Sequence, residues 1–129
     1  MRQRLVPLDH RLVLLLLGFL VLAGGPLRAQ EDPRVAAALN DLAGKAYKAG
    51  QYDRALNYYQ SSLDLSQRLD DRKGIALGLG NLGVVYRTLG QDRKALELYD
   101  RALAATDPSD ARGLSFVLGN LGDLALKLG

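Results

Sequence analysis

The sequence contains no cysteine and only one histidine, His10. A chain without cysteine forms no disulfide bond, so its stability must come from packing. Protein metal sites and nucleophile–base pairs draw largely on His and Cys side chains. The sequence also lacks a glycine-rich phosphate loop of the Walker type. We therefore expect no catalytic residue, no metal site, no cofactor and no enzyme activity.

Basic residues are in excess only at the N-terminus. Four of the 17 Lys and Arg residues and one of the 14 acidic residues precede residue 30, so residues 30–129 carry 13 of each. Electrostatic binding of nucleic acid needs a net basic surface or a basic patch. The pI of about 9.3 therefore does not indicate a nucleic-acid partner.

The N-terminal segment has the three parts of a secretory signal peptide. Residues 1–11 are basic, residues 12–23 are an apolar run (LVLLLLGFLVLA), and residues 24–29 (GGPLRA) end in a small residue. Twelve apolar residues are fewer than the roughly 20 that span a bilayer. We predict a signal peptide over residues 1–29, cleaved after Ala29 or alternatively after Ala23, and a periplasmic or extracellular location. An uncleaved membrane anchor is the competing interpretation; otherwise no membrane contact is expected.

The remaining chain, residues 30–129, is internally repetitive. The pentapeptide LGNLG occurs at residues 79–83 and again at 118–122, and Gly50-Gln51 recurs as Gly90-Gln91. The best-formed unit contains, in order, a large apolar residue, Leu-Gly, Tyr, Gly, Ala, an aromatic residue, a second Ala and a closing Pro. Its positions are Leu79, Leu82, Gly83, Tyr86, Gly90, Ala95, Tyr99, Ala102 and Pro108.

This pattern resembles the tetratricopeptide repeat. The spacing of 39–40 residues resembles the long-repeat type of kinesin light chains and Pins-like adaptor proteins. The resemblance implies an all-α fold, a right-handed superhelical solenoid of antiparallel helix pairs with about 2.5 repeat units. The units are expected at about 34–73, 74–110 and 111–129, the last incomplete. The five expected helices cover about 33–49, 53–69, 72–89, 93–106 and 108–128.

Glycine inside these helices needs a structural reason, because it costs roughly 0.5–1 kcal/mol relative to alanine. We expect Gly83 and Gly122 to lie where the first helix of a unit approaches the second closely. Gly80 and Gly119 are expected to lie on the open concave face and to lower its surface.

The concave face is the candidate binding surface. In the long-repeat adaptors that the chain resembles, asparagines at the positions of Asn81 and Asn120 hold the main chain of an extended peptide. The alternative is that these amides bridge neighbouring helices or face water. The family's carboxylate clamp needs lysines and an arginine on this face, and the matching positions do not supply them. The predicted groove residues are Asn40, Tyr47, Lys48, Asn81, Val84, Arg87, Phe116, Asn120, Asp123 and Lys127.

The sequence favours one function and leaves another open. The leading hypothesis is an exported scaffold that binds a peptide segment or a partner protein in the concave groove. The alternative is a structural or sensor segment at the front of a larger exported protein, for example one with a CHAT or signalling domain, without independent activity. The apolar stripe of helix 108–128 also predicts possible self-association through that helix.

Overall fold

The computed structural model describes Arg11 and residues 31–129. The predicted signal peptide, residues 1–29, therefore lies outside the described residues apart from Arg11. The chain divides into two units, Met1–Asp32 and Pro33–Gly129, and the helices described below belong to the second. None of the described helices combines the length and the apolar character needed to cross a membrane.

Residues 31–129 form five helices and no strand, as the repeat pattern predicts. Consecutive helices pack against each other, and the first helix also touches the third, as the third touches the fifth. The short connections make consecutive helices antiparallel. The protein is therefore an all-α helical repeat. The helices are α1 (Pro33–Lys48), α2 (Tyr52–Arg68), α3 (Arg72–Thr88), α4 (Asp92–Ala105) and α5 (Ala111–Leu128).

The three tight turns have the same backbone geometry. Gly50 and Gly90 follow α1 and α3 with φ of 73° and 76°, the left-handed conformation that ends many helices. After α2 the same place is held by Asp70, with φ of 53°. In each turn the next residue donates its N–H to a carbonyl five residues earlier, as Gln91 does to Tyr86 at 2.9 Å.

The start of α5 differs from the sequence prediction. The helix was expected to begin at about residue 108, but α5 begins at Ala111. The Asp107 carboxylate instead accepts hydrogen bonds from the hydroxyl and the backbone N–H of Ser109, at 2.7 and 2.8 Å. These bonds hold the pKa of Asp107 below its usual range, the Ser109 hydroxyl being the larger cause. Asp110 is the cap, because its carboxylate accepts the Gly113 N–H at 3.0 Å.

The core confirms the expected role of Gly83. A Cβ atom placed on Gly83 would lie only 2.6 Å from Cε1 of Tyr99 on α4. Tyr99 is fully buried, as are the flanking Ala95 and Ala102. The missing side chain of Gly83 therefore lets the Tyr99 ring pack directly on the α3 backbone.

Two of the expectations for the other glycines are wrong. Gly122 was expected at a close helix contact, yet a Cβ there would meet nothing within 4 Å, because no described helix covers that side of α5. Gly80 was expected on the open face, but it is buried. The Phe116 ring of α5 lies over Gly80, with Cε1 2.6 Å from where its Cβ would be.

Candidate functional site

The first helices of the three units, α1, α3 and α5, stack side by side. The ten predicted groove residues all lie on these helices. We call the surface that carries them the inner face. Along it, Leu77 and Phe116 lie toward the N-terminal ends of their helices, the asparagines lie in the middle, and charged residues lie toward the C-terminal ends. The inner face therefore changes from apolar to polar along the helix direction.

The middle of the inner face carries a pair of bonded amides. Asn81 Nδ2 donates to Asn40 Oδ1 at 2.9 Å, and both residues are partly buried. This bond joins α1 to α3, so Asn81 bridges neighbouring helices. An amide offers two N–H donors and two acceptor lone pairs. A single bond thus leaves further hydrogen-bonding capacity on each side chain.

Asn120 bonds differently. Its Nδ2 donates to the carbonyl of Phe116 at 2.8 Å, and its Oδ1 faces the Tyr99 hydroxyl at 3.4 Å. The first bond lies within α5 and the second reaches back to α4. Burial raises the pKa of Tyr99, and Arg87 opposes this shift in part. The amides are therefore not equivalent, because Asn40 and Asn81 bond each other whereas Asn120 bonds α4 and its own helix.

Polar contacts between helices occupy the C-terminal end of the inner face. The Tyr47 and Thr88 hydroxyls lie 2.9 Å apart and link α1 to α3. Arg87 and Asp123 face each other at 3.8 Å across α3 and α5, while Lys127 reaches α4 through a 2.7 Å ion pair with Asp92. Exposed ion pairs of this kind contribute about 0–1 kcal/mol. The hydroxyl pair thus links α1 to α3, and the two ion pairs link α5 to α3 and to α4.

The apolar end of the inner face contains a cleft between α3 and α5. The cleft has a volume of about 230 Å³. The side chains of Leu77 and Phe116 are 44% and 36% exposed, although both are large and apolar. The lining residues are Lys73, Ala76, Leu77, Thr106, Asp110, Arg112, Gly113, Phe116 and Val117.

A second cleft lies between α1 and α3 and has a volume of about 340 Å³. Lys73 and Leu77 line both clefts, and Asn40 lines the second. We call the two together the paired clefts. They extend over the inner face from α1 to α5.

The predicted site residues divide between these regions. Phe116 lies in the cleft, Val84 packs against the core and Lys48 is exposed near the C-terminal end of α1. Lys73 and Arg112 were not predicted to line the site. They lie in the first turn of α3 and α5, one helical turn before Leu77 and Phe116, so the repeat spacing itself could have indicated them. Within residues 31–129 no cluster of His, Cys, Asp or Glu could hold a metal ion.

A stack of helix pairs with a continuous inner face defines a helical-repeat scaffold of the kind used for protein–protein interaction. The chain belongs to the tetratricopeptide repeat family, whose sequence profile matches residues 34–107. That match covers the first predicted unit and all but the last three residues of the second. The long-repeat type stays a prediction.

The chain is also similar to proteins named photosystem I assembly protein Ycf3. With the protein of Prochlorococcus marinus strain NATL1A it is 30% identical over 86 residues, 65% of this chain and 48% of the relative. With that of strain MIT 9303 it is 30% identical over 103 residues, 70% of this chain and 58% of the relative. The chain thus spans about half the length of the curated relatives it matches.

Proposed function

We propose that the protein is an exported scaffold that binds an extended segment of a partner protein on its inner face. The observation that carries this proposal is the exposed pair Leu77 and Phe116 in one of the paired clefts, next to the second cleft, which Leu77 and Asn40 line. Large apolar side chains at the mouth of a concave cleft are typical of binding sites. Family membership supports a protein as the ligand.

The chemistry of the inner face favours an extended peptide over a small polar ligand. An extended main chain exposes N–H and C=O groups that are not paired within the segment. The amides of Asn40 and Asn81 can bond such groups with the capacity that their mutual bond leaves. An apolar side chain of the peptide would enter the cleft beside Leu77, and Lys73 and Arg112 would favour an acidic neighbour.

The name of the two relatives gives further support to a protein ligand. Both are named as assembly proteins of photosystem I, which favours a protein partner for this chain too. Since the mature sequence lacks His and Cys, we propose that binding rather than catalysis is its role.

Export is part of the proposal and rests on residues 1–29. It is tested by fractionating cells that produce the chain with a C-terminal tag. The proposal requires the tagged protein in the periplasm or medium, shortened at its N-terminus. Full-length protein in the cytoplasm would contradict it.

Peptide selection tests the binding site. Linear peptides selected from a random display library on the purified protein are titrated by calorimetry against Leu77→Asp and against Leu42→Asp. Both leucines are 44% exposed, but Leu42 lies outside the paired clefts. A charge in the cleft disfavours burial of an apolar side chain, so Leu77→Asp should weaken binding by about tenfold or more. Leu42→Asp should leave it unchanged.

If both variants lose the same affinity for the peptides, or if neither loses any, the peptides bind outside the cleft at Leu77. Circular dichroism of each variant provides the folding control.

A second candidate is a structural segment of a larger exported protein. It is favoured by the large apolar side chains exposed on α5, Leu118, Leu126 and Leu128. In that case the selected peptides would bind independently of Leu77, and the exposed side chains of α5 would be covered by another part of that protein.

A further inference from the structure

The paired clefts are built from equivalent positions of successive repeats. We call the cleft between α3 and α5 the first cleft, and the second cleft is the one between α1 and α3. The second cleft is lined by Lys73, Gly74 and Leu77, and the first by their counterparts Arg112, Gly113 and Phe116. Because the same positions recur, the two clefts can hold two side chains of one bound segment.

One pair of equivalent residues differs in hydrogen bonding. Thr106 lines the first cleft, is 5% exposed and donates its hydroxyl to the carbonyl of Ala102 at 2.7 Å. Ser66 holds this position in the preceding repeat, lines the second cleft and is 1% exposed. Its Oγ atom has no hydrogen-bond partner among the described residues. Such a hydroxyl is unusual, since native proteins pair nearly all of their buried polar groups.

The two side chains also present different atoms to the helix that follows. A Cβ atom placed on Gly74, at the start of α3, would clash with the Ser66 hydroxyl. A Cβ atom placed on Gly113, at the start of α5, would lie 3.0 Å from the methyl carbon of Thr106. At this position the first cleft therefore has a methyl group and the second has a hydroxyl group.

The second cleft contains further polar groups with unused hydrogen-bonding capacity. Asn40 accepts the Asn81 amide through Oδ1, so its own NH₂ group remains a donor. Asp71 accepts the Gly74 N–H through Oδ1 at 3.1 Å, and its other carboxylate oxygen remains an acceptor. Asp41 adds a second carboxylate to the lining. The second cleft therefore offers both donors and acceptors, whereas Phe116 and the Thr106 methyl make the first cleft apolar.

We propose that the second cleft binds a carboxamide side chain, of asparagine or glutamine, from the same extended segment whose apolar side chain enters the first cleft. A change of the Ser66 χ1 rotamer turns its hydroxyl to donate to the amide carbonyl. The amide NH₂ group donates to the free oxygen of Asp71. This inference rests on the peptide binding proposed above and assigns a second side chain of the ligand.

The lining of the second cleft selects a carboxamide over other side chains. Asp41 and Asp71 would repel a carboxylate. A basic side chain would meet Lys73, which lines the same cleft, and would lose hydration on entry. An apolar side chain would leave the Ser66 hydroxyl unpaired. A carboxamide is neutral and supplies both the acceptor and the donor that the cleft needs.

The distance between the clefts sets the spacing of the two ligand residues. The clefts lie on either side of α3, and the axes of packed helices lie about 8–10 Å apart. A segment in the polyproline II conformation returns to the same face after about three residues and about 9 Å. The carboxamide should therefore lie about three residues from the apolar side chain.

Peptide selection on matched variants tests this subsite. A random display library of linear peptides is selected on the unsubstituted protein, on Ser66→Ala and on Ser61→Ala, a control exposed on α2 outside both clefts. We expect asparagine or glutamine to be enriched about three residues from the apolar consensus residue, except on Ser66→Ala. The Ser66→Ala protein should keep its helical circular dichroism and its urea midpoint, because the hydroxyl has no internal partner to lose.

Calorimetry with one selected peptide gives the magnitude. The carboxamide residue of the peptide is replaced by an apolar or by an acidic residue of similar size. Each replacement should weaken binding to the unsubstituted protein and to Ser61→Ala by about tenfold. On Ser66→Ala the apolar replacement should change the affinity by less than about twofold, while the acidic one should still weaken it because Asp41 and Asp71 remain.

The outcomes separate this inference from the peptide binding on which it rests. Peptides that depend on Leu77 but show no preference for a carboxamide would overturn the inference and leave the peptide binding standing. A carboxamide preference that persists on Ser66→Ala would overturn it too. Peptides insensitive to Leu77→Asp would contradict the peptide binding itself, and this inference with it.

Discussion

At the scale of single residues, identical amino acids have different roles because their neighbours differ. Gly83 and Gly122 share the sequence LGNLG, yet the Tyr99 ring packs on Gly83 and no atom approaches Gly122. Helix propensity alone treats the two alike. The packing partner decides the effect of adding a side chain.

Alanine substitution at these two glycines measures that difference. Gly83→Ala places a Cβ 2.6 Å from a Tyr99 ring carbon and should destabilise the fold by about 1–3 kcal/mol through overpacking. Gly122→Ala should stabilise it by about 0.5–1 kcal/mol, because alanine is the better helix former and the site is open. Urea unfolding followed by circular dichroism gives both values. Destabilisation by Gly122→Ala, or none by Gly83→Ala, would contradict the packing described here.

Buried tyrosines should make the fold sensitive to alkaline pH. Burial raises the pKa of Tyr99 and of Tyr59 above the ordinary value of 10.0. The unfolded chain therefore loses these protons first as the pH rises, so stability falls above about pH 10 and is unaffected below it.

The Tyr99→Phe variant tests this linkage. It removes the ionisable group and only a long hydroxyl contact of 3.4 Å, so its stability near neutral pH should change little. In unfolding measurements at about pH 8 and about pH 11, it should lose less stability than the unsubstituted protein. An equal loss in both proteins would show that Tyr99 ionisation does not contribute.

At the scale of helices, the capping residues decide where each element begins. The carboxylates of Asp71 and Asp110 accept the N–H of Gly74 and Gly113, at 3.1 and 3.0 Å. These equivalent bonds start α3 and α5 at corresponding repeat positions. Asp107 instead organises the turn that precedes α5.

Substitution of the two aspartates before α5 separates these roles. Asp110→Ala should cost about 1 kcal/mol, the usual effect of losing an N-cap. Asp107→Ala should cost less, because it leaves the cap of α5 in place. Thermal unfolding of the two variants under the same conditions gives the comparison. A larger loss for Asp107→Ala would mean that the helix begins at Pro108 after all.

The sequence predicts the helices better than it predicts their surroundings. Periodicity and the turn glycines at 50 and 90 place four helix starts and all five ends within one or two residues of those observed. The fifth start was misplaced because Asp107-Pro108 and Asp110 both match a capping pattern, and hydrogen bonds to Ser109 decide between them. These bonds join residues only two positions apart, so the turn was a local signal that the prediction did not weigh.

The sequence predicts which helices carry the site residues, but it does not predict the contacts between those helices. Helical spacing correctly places Asn40 and Asn81 on neighbouring inner helices. Their mutual bond and the Phe116 ring over Gly80 depend on how far apart those helices lie, which spacing along one helix does not contain. Long-range packing sets these contacts.

At the scale of the whole repeat domain, residues 33–129 offer two chemically different surfaces. The inner face combines amides, charges and an apolar cleft, which suits an extended peptide. The side of α5 that carries Leu118, Gly122 and Ala125 is exposed and apolar. The first surface is built by neighbouring units together, so its integrity depends on the stacking of α1, α3 and α5.

The central claim is that the inner face contacts a partner protein, and site-specific photo-crosslinking tests it most directly. A photoreactive amino acid is introduced at Leu77 in the cleft or at Ser61, which is exposed on α2, and cells that produce each variant are irradiated. The account predicts a covalent adduct with another protein from position 77 and none from position 61. Adducts of equal yield from both positions, or an adduct from position 61 alone, would contradict it.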